Sequence, residues 1–237
     1  MLPLIDLHSQ LDEALNVNSI DSEFSDLYYT DLINEQRALF LRNEYNKSRT
    51  IDPNIQQEIA CLEMELVDPQ TCCDLDISLD CKVLRSKLPI PNTIELFFRK
   101  AITAIGPVDI TKKRYTLIDY NRVPYAGNGR TTSKAVYAFL YADYIYIISK
   151  NPAMKIVDKI TVRGVFEDPS RLGEFIDCSK KPCWSPYSIY PLNQWMWAYI
   201  KPQILQQLMQ KQAIPQDSEN DSKDNKTGGA VSSGAKK

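Results

Sequence analysis

A change of hydrophobic period along the chain constrains its fold more than any other feature. Apolar residues recur at helical spacing near both ends, and a Tyr-rich segment with a period of two lies between them. Seven of the thirteen tyrosines fall within residues 115–146. We therefore predict an α+β protein in which N-terminal helices and a C-terminal helix form a bundle. An antiparallel β-domain, either a sheet or a small barrel, is inserted between them.

The helices have recognisable starts. Residues 3–15 form an amphipathic pattern, and Ser25 is a suitable N-cap for a helix that continues to about Lys47. Asp52 followed by proline predicts one more short helix over Pro53–Ala60. Pro191 opens the last helix, and Pro202 lies inside it, where we expect a kink. The predicted units are a bundle of residues 1–60 and 186–215, a β-domain of residues 61–185 and a polar C-terminal arm of residues 216–237.

The segment Ala135–Ser149 predicts the clearest strand pair, a hairpin. With Ala142 and Asp143 as its loop, Tyr141 faces Tyr144 on the neighbouring strand. Both faces of this hairpin are apolar, so we expect its own domain to cover one face and another subunit to cover the other. The residues predicted at that inter-subunit contact are Tyr137, Phe139, Tyr141, Tyr144 and Tyr146. Further strands are predicted at Cys61–Val67, Cys81–Ser86, Ile102–Ile105, Arg114–Ile118 and Lys159–Glu167.

Charge is distributed unevenly, although the formal net charge is only −2. Residues 1–40 carry eight acids and one base, Arg37, whereas residues 111–134 carry six bases and one acid, Asp119. Such asymmetry predicts a polarised molecule with directed surfaces. The basic stretch could contact a nucleic-acid backbone, meet the acidic segment of a neighbouring copy, or be a solvated loop face. Its candidate contact residues are Lys112, Lys113, Arg114, Arg122 and Arg130.

No set of residues predicts catalysis, a cofactor or a metal. Tyr125–Lys134 only partly resembles a phosphate-binding loop, because Arg130 replaces the lysine and a strand follows, so a β-turn is the preferred interpretation. A zinc site is possible in principle, but only Cys178 and Cys183 have suitable spacing. The other cysteines considered as zinc ligands are Cys72, Cys73 and Cys81. The single histidine, His8, is expected on a helix surface.

The start of the chain lacks a secretory signal pattern, and no stretch approaches the ~20 apolar residues of a membrane-spanning helix. We therefore expect a soluble protein that is made in a cytoplasm, does not contact a membrane and keeps its cysteines mostly reduced. In the last helix, Trp195, Trp197 and Tyr199 occupy more than one face. A surplus apolar face predicts that a partner docks there.

Several sequence blocks in order resemble a neck-ring, or head-to-tail adaptor, protein of the crAss-like short-tailed bacteriophages. The blocks are LINEQRALFLRNEY (Leu32–Tyr45), IACLEMELV (Ile59–Val67), RSKLPIPNTIEL (Arg85–Leu96), RYTLIDYNRVPYAGNGR (Arg114–Arg130), YIYIISKNP (Tyr144–Pro152) and VRGVFEDP (Val162–Pro169). The resemblance covers most of residues 20–205. Pro202 and the polar tail depart from it.

The resemblance implies a structural protein, not an enzyme, located in the neck or tail of a virion. It implies a ring of twelve identical copies that joins the portal protein to further neck or tail ring proteins. Such a ring surrounds part of the DNA conduit and contacts genomic DNA loosely. The docking residues would be Trp195, Trp197 and Tyr199. A small zinc-dependent nucleic-acid-binding module or an enzyme is the alternative.

Overall fold

The structure is a computed structural model that describes residues 1–15, 24–47, 50–67, 83–97, 100–149 and 157–213. The predicted C-terminal arm and three of the cysteines, Cys72, Cys73 and Cys81, lie outside these described residues. The predicted α+β class, with helices at both ends of an inserted β-region, is confirmed. None of the described helices is long and apolar enough to cross a membrane.

Three helices form the bundle: α1 (Leu4–Leu15), α2 (Asp26–Tyr45) and α3 (Gln194–Ala213). Ser25 caps α2 as predicted, because its side chain accepts the backbone N–H of Tyr28. Helix α3 begins three residues after Pro191 and continues through Pro202. Its buried residues, spaced four apart, form one stripe against α1 and α2. The stripe consists of Met196, Ile200, Ile204 and Leu208, and Trp197 is buried beside it.

The contact between α1 and α2 corrects the prediction for His8. This residue is half-buried, and the hydroxyl oxygen Oγ1 of Thr30 lies 3.2 Å from its Nε2 atom. Burial lowers the pKa of the His8 imidazole, while the carboxylates of Asp26 and Asp12 oppose that shift. The histidine therefore belongs to the packing of the bundle and does not lie on an open helix surface.

The predicted helix Pro53–Ala60 is also wrong. Asp52 and Pro53 start a single 3-10 turn over Pro53–Ile55, and strand β1 then begins at Gln57. Buried Gln57 and Ile59 alternate with the less buried Glu58, which is the period of a strand. The capping pair thus specifies where a turn begins, whereas pairing with another strand determines the conformation of the residues after it.

Seven strands form a nearly closed barrel. They are β1 (Gln57–Leu66), β2 (Leu84–Ser86), β3 (Ile102–Pro107), β4 (Thr116–Leu117), β5 (Tyr137–Tyr141), β6 (Tyr144–Ile148) and β7 (Lys159–Gly164). Their order in the sheet is β3-β7-β1-β2-β6-β5-β4, and only the β4–β5 pair is parallel. The backbone N–H of Tyr115, just before β4, donates to the carbonyl oxygen of Ile105 on β3 at 2.8 Å. This bond links the two edges of the sheet.

The predicted register of the β5–β6 hairpin is confirmed. Tyr141 pairs with Tyr144, Phe139 with Tyr146 and Leu140 with Ile145. The loop residues Ala142 and Asp143 both have positive φ angles, 47° and 64°. A two-residue loop with this backbone matches the twist of the flanking strands, so the loop forms without glycine.

One arginine joins the bundle to the barrel. Arg37 of α2 is fully buried, and its Nε–H donates to the carbonyl oxygen of Pro191 at 3.0 Å. Its Nη1 atom donates to the carbonyl oxygen of Phe166, just after β7, at 2.9 Å. The guanidinium also lies over the ring of Tyr190, with its Cζ atom 5.7 Å from the ring centroid. One side chain therefore connects α2 to the segment just after β7 and to the segment that leads into α3.

The groups around Arg37 are themselves held by hydrogen bonds. The hydroxyl of Tyr190 donates to Oδ1 of Asn34 at 2.7 Å, and Nδ2 of Asn34 donates to Oδ1 of Asp168 at 2.9 Å. Burial lowers the pKa of Arg37, whereas the nearby Asp168 carboxylate opposes this shift. A buried network of this kind fixes one arrangement of the elements that it connects.

We predict that Arg37→Met lowers the free energy of unfolding by about 1.5–3 kcal/mol, because two buried carbonyl oxygens lose a charged donor. Arg42→Met is the matched control on the same helix. Its guanidinium is partly exposed and lies 4.0 Å from Glu95, so the change should cost less than about 1 kcal/mol. Denaturant unfolding of the two variants measures the difference. Equal stability of the two variants would show that Arg37 does not hold the joint.

Candidate assembly surfaces

The hairpin is covered on both faces by its own chain. Ala138, Ile145 and Ile147 pack into the barrel interior. On the other face, the rings of Phe139 and Tyr146 stack with centroids 5.1 Å apart, and Val123 packs against them. Val123 belongs to a 3-10 helix, Tyr120–Tyr125, that crosses this face. The second apolar face is therefore largely occupied within one subunit.

The five hairpin residues predicted at an inter-subunit contact differ in what they offer a partner. Phe139 and Tyr146 are buried in their own subunit, and Tyr137 and Tyr144 are half-buried. Of these five side chains only that of Tyr141 is exposed, at 39%, and the ring of Tyr120 stacks on it with ring centroids 4.7 Å apart. The inter-subunit role of the hairpin remains a prediction, and its available surface is centred on Tyr141.

The structure divides the basic stretch among three places. Lys112, Lys113 and Arg114 lie between β3 and β4, Arg122 is on the 3-10 helix, and Arg130 is in the turns before β5. Arg114 is half-buried across β3, where a Cβ atom on Gly106 would lie 2.7 Å from its Cδ atom. The other four side chains are exposed. Arg114 thus has a packing role, and the remaining four form separate patches of positive charge.

The C-terminal aromatic residues separate in the same way. Trp197 is buried, and its Nε1–H donates to Oε1 of Gln10 on α1 at 2.8 Å. Trp195 and Tyr199 are exposed and contact the partly buried Phe40 of α2, with ring centroids 5.6 and 6.1 Å from the ring of Phe40. We call Phe40, Trp195 and Tyr199 the aromatic cluster. Two of the three predicted docking residues therefore remain available to a partner.

The cysteine chemistry differs from the prediction. Cys61, at a bulge in β1, forms a disulfide with Cys178, and their Cα atoms are 5.3 Å apart. This pairing corrects the expectation of reduced thiols for these two residues, and it removes Cys178 from a zinc pair with Cys183. Within the described ranges, no three His, Cys, Asp or Glu residues are placed to hold a metal ion. The segments that carry Cys61 and Cys178 into contact are far apart in the sequence, so spacing alone could not reveal the bond.

The turn sequence that resembles a phosphate-binding loop forms turns in the structure. The N–H of Thr132 donates to the carbonyl oxygen of Gly129 at 3.1 Å, and Gly127 has a φ angle of 75°. Strand β5 comes after these turns, where a phosphate-binding loop would lead into a helix. The preferred interpretation as a turn agrees with this geometry.

Comparison with known proteins identifies the family of this chain. A sequence model described as phage tail ring protein 2 matches residues 10–226. The chain belongs to the phage tail ring protein 2 family. Ring protein 2 of Bacteroides phage crAss001 is 22% identical over 225 residues, which cover 92% of this chain and 95% of that protein. The resemblance to crAss-like neck and tail ring proteins is confirmed, and this ring protein is a structural component of a phage tail.

Two surfaces of this ring protein are absent from the sequence predictions. One is the turn between β3 and β4, where Val108 and Ile110 are exposed beside the lysines. The other is a groove between α2 and the hairpin tip. The signal for the first was the pair of aliphatic residues next to Lys112 and Lys113. The groove is formed by segments that are far apart in the sequence, so no local pattern indicates it.

We predict that Phe139→Ala lowers the free energy of unfolding by about 3–5 kcal/mol, because it leaves a cavity on the covered face of the hairpin. Tyr125→Ala is the control, since this tyrosine is exposed and its removal should change stability by less than about 0.5 kcal/mol. Thermal or denaturant unfolding gives both values. A Phe139→Ala chain as stable as the control would mean that the hairpin is not packed within its own subunit.

Proposed function

We propose that this ring protein forms a closed ring of identical copies in the neck of the virion, joins the portal to the tail and surrounds part of the DNA conduit. The observation that carries the proposal is the family match over residues 10–226. In this role the chain acts as a structural protein and needs no catalytic activity or cofactor. The ring protein would then be made in the host cytoplasm before the virion assembles.

The exposed surfaces of the subunit support a ring of identical copies. The aromatic cluster lies on the bundle, whereas the exposed side chains of the basic stretch, Lys112, Lys113, Arg122 and Arg130, lie on the barrel. Different surfaces on one subunit suit head-to-tail contacts, in which one patch meets a different patch on the next copy. Such contacts close into a ring when the rotation between neighbours divides a full turn, and twelve copies is the number that the resemblance implies.

The aromatic cluster is the proposed docking site for the portal or an adjacent ring protein. Its exposed residues, Trp195 and Tyr199, are of the types that dominate binding energy in protein interfaces. Phe40 supports both rings from the neighbouring helix. The polar arm of residues 216–237 comes after α3 in the sequence, and we propose that it extends the same contact.

The proposed contact with DNA uses exposed basic side chains. Arg122 and Arg130 are exposed on the barrel, in the 3-10 helix and in the turns before β5. A conduit needs sequence-independent contacts through which DNA can slide, and positive side chains that meet phosphates supply such contacts. These two arginines are the proposed conduit residues.

The purified chain should assemble into one species whose mass is twelve times that of the subunit. Native mass spectrometry gives the copy number, and negative-stain images give the closure of the ring. The expected result is a single ring size that persists on dilution. A chain that stays monomeric at high concentration, or one that grows into open filaments, would contradict the proposal.

The double variant Trp195→Ser/Tyr199→Ser should assemble normally but bind portal-containing heads at least about tenfold more weakly, which corresponds to ~1.4 kcal/mol. Tyr187→Ser is the matched control, because Tyr187 is another highly exposed aromatic residue outside the cluster. Binding is measured with labelled protein and purified heads. Equal binding by the double variant and the control would rule out the aromatic cluster as the docking site.

A further inference from the structure

The turn between β3 and β4 presents an exposed aliphatic residue on a fixed backbone. The Asp109 carboxylate Oδ1 accepts the backbone N–H of Thr111 at 3.0 Å and its hydroxyl at 2.7 Å. The N–H of Lys112 donates to the carbonyl oxygen of Asp109 at 3.1 Å. Ile110, at the centre of this turn, is 69% exposed. A turn held in this way loses little conformational entropy when it binds.

Positive charge flanks the exposed isoleucine. Lys112 and Lys113 are both exposed, and neither lysine forms an ion pair with another of the described residues. With Arg114 and Asp109 included, residues 108–114 carry three bases and one acid, a net charge of +2. The turn is therefore an apolar tip within a positive surface.

A groove between the bundle and the barrel also exposes apolar side chains. It has a volume of about 500 Å³, and its walls come from α2, the segment of residues 90–95 and the hairpin tip. Leu39 of α2 and Leu140 of β5 line it and are 47% and 36% exposed. The groove therefore offers apolar surface at the junction of the two halves of the subunit.

The backbone around the groove is held in place by three hydrogen bonds. The N–H of Ile90 donates to the carbonyl oxygen of Asp143 at the hairpin tip at 2.8 Å. The N–H of Ile94 donates to the carbonyl oxygen of Val165 at 3.2 Å, and that of Glu167 donates to the carbonyl oxygen of Asn92 at 2.9 Å. The groove thus exists in the free subunit and does not need a partner to form it.

The lining of the groove is acidic. Four acids and one base line it, a net charge of −3: Glu35, Glu95, Asp143 and Glu167, against Arg42. Arg42 lies 4.0 Å from Glu95. Within the described part of the chain, Glu35, Asp143 and Glu167 form no ion pair. Apolar surface with uncompensated negative charge is complementary to the tip of the β3–β4 turn.

The turn and the groove lie at different ends of one subunit. Strand β3 begins at Ile102, which pairs with Gly164 beside the bundle, and it runs away from the bundle to Pro107. The turn after Pro107 therefore lies at the far end of the barrel, whereas the groove lies at the junction with the bundle. A turn and a groove so placed can meet between copies.

We infer that the β3–β4 turn of one copy inserts into the groove of the next copy, with Ile110 against Leu39 and Leu140 and the lysines beside the groove carboxylates. This contact rests on the proposed ring and supplies its repeated head-to-tail interface. In a rotationally symmetric ring, equivalent points lie at equal height, so the turn and the groove also lie at equal height. The line from the junction to the far end of the barrel is then perpendicular to the ring axis.

Duplex DNA is the other occupant that the lysines could attract. A turn that faces DNA gains affinity from the lysines but nothing from an exposed isoleucine at its centre. The apolar tip and the apolar walls of the groove favour a protein partner, since buried apolar contacts surrounded by polar residues are typical of protein interfaces. The second copy is therefore the occupant that the observations favour.

Two charge-reversed chains test the contact. The turn variant is Lys112→Glu/Lys113→Glu, and the groove variant is Glu35→Lys/Glu167→Lys. Each alone places like charges at every contact, so each should remain monomeric under conditions in which the wild-type chain forms a ring. An equal mixture should form an alternating ring, because each variant supplies the surface that complements the other. Native mass spectrometry should find equal numbers of the two chains in that ring.

The control carries the same charge change on another exposed turn. Lys180→Glu/Lys181→Glu should assemble like the wild-type chain, and circular dichroism should show that all variants are folded. Recovery in the mixture also rules out misfolding as the cause of the monomers.

Four results would count against the inference. A wild-type ring that persists in the turn variant would overturn it and leave the proposed function standing. Folded variants that fail to assemble when mixed would also overturn it. A turn variant that keeps its ring but loses binding to duplex DNA would assign the turn to the conduit. A wild-type chain that never assembles would contradict the proposed function together with this contact.

Discussion

The arrangement of the subunit depends on the buried guanidinium of Arg37. This group donates to one carbonyl oxygen after β7 and to another before α3, while its own backbone belongs to α2. The bundle and the barrel have separate apolar cores, so apolar packing within each half does not by itself fix their relative position. Directional hydrogen bonds from one buried side chain supply that constraint. The groove at the junction keeps its shape because the joint is fixed.

The way the hairpin is covered determines which surfaces remain for assembly. Its outward aromatic residues are used inside the subunit, where a 3-10 helix containing Val123 closes over Phe139 and Tyr146. The surfaces left open are smaller and chemically distinct: an aromatic cluster on the bundle, an apolar and basic turn at the far end of the barrel, and an acidic groove between them. A protein of a ring-forming family can use such surfaces for different neighbours, since they differ in charge and polarity.

Local patterns predicted the elements whose determinants are close in sequence. The cap at Ser25, the register of the β5–β6 hairpin and the α+β order depend on neighbouring residues. The strand at Gln57, the closure of the barrel near Tyr115 and the Cys61–Cys178 bond depend on partners that are distant in sequence. The role of Arg37 had a partial signal, because it is the one base among eight acids in residues 1–40. Exposure in the hairpin could not be predicted: its alternation showed two apolar faces but not that the chain itself covers most of both.

A reconstruction of the phage tail at side-chain resolution tests the central claim most directly, because it locates every copy of this chain together with its neighbours. The account predicts a closed ring of identical copies in the neck, in which the far end of each barrel contacts the bundle–barrel junction of the next copy. Density for this chain outside the neck and tail, or copies that touch other proteins but not one another, would contradict the account.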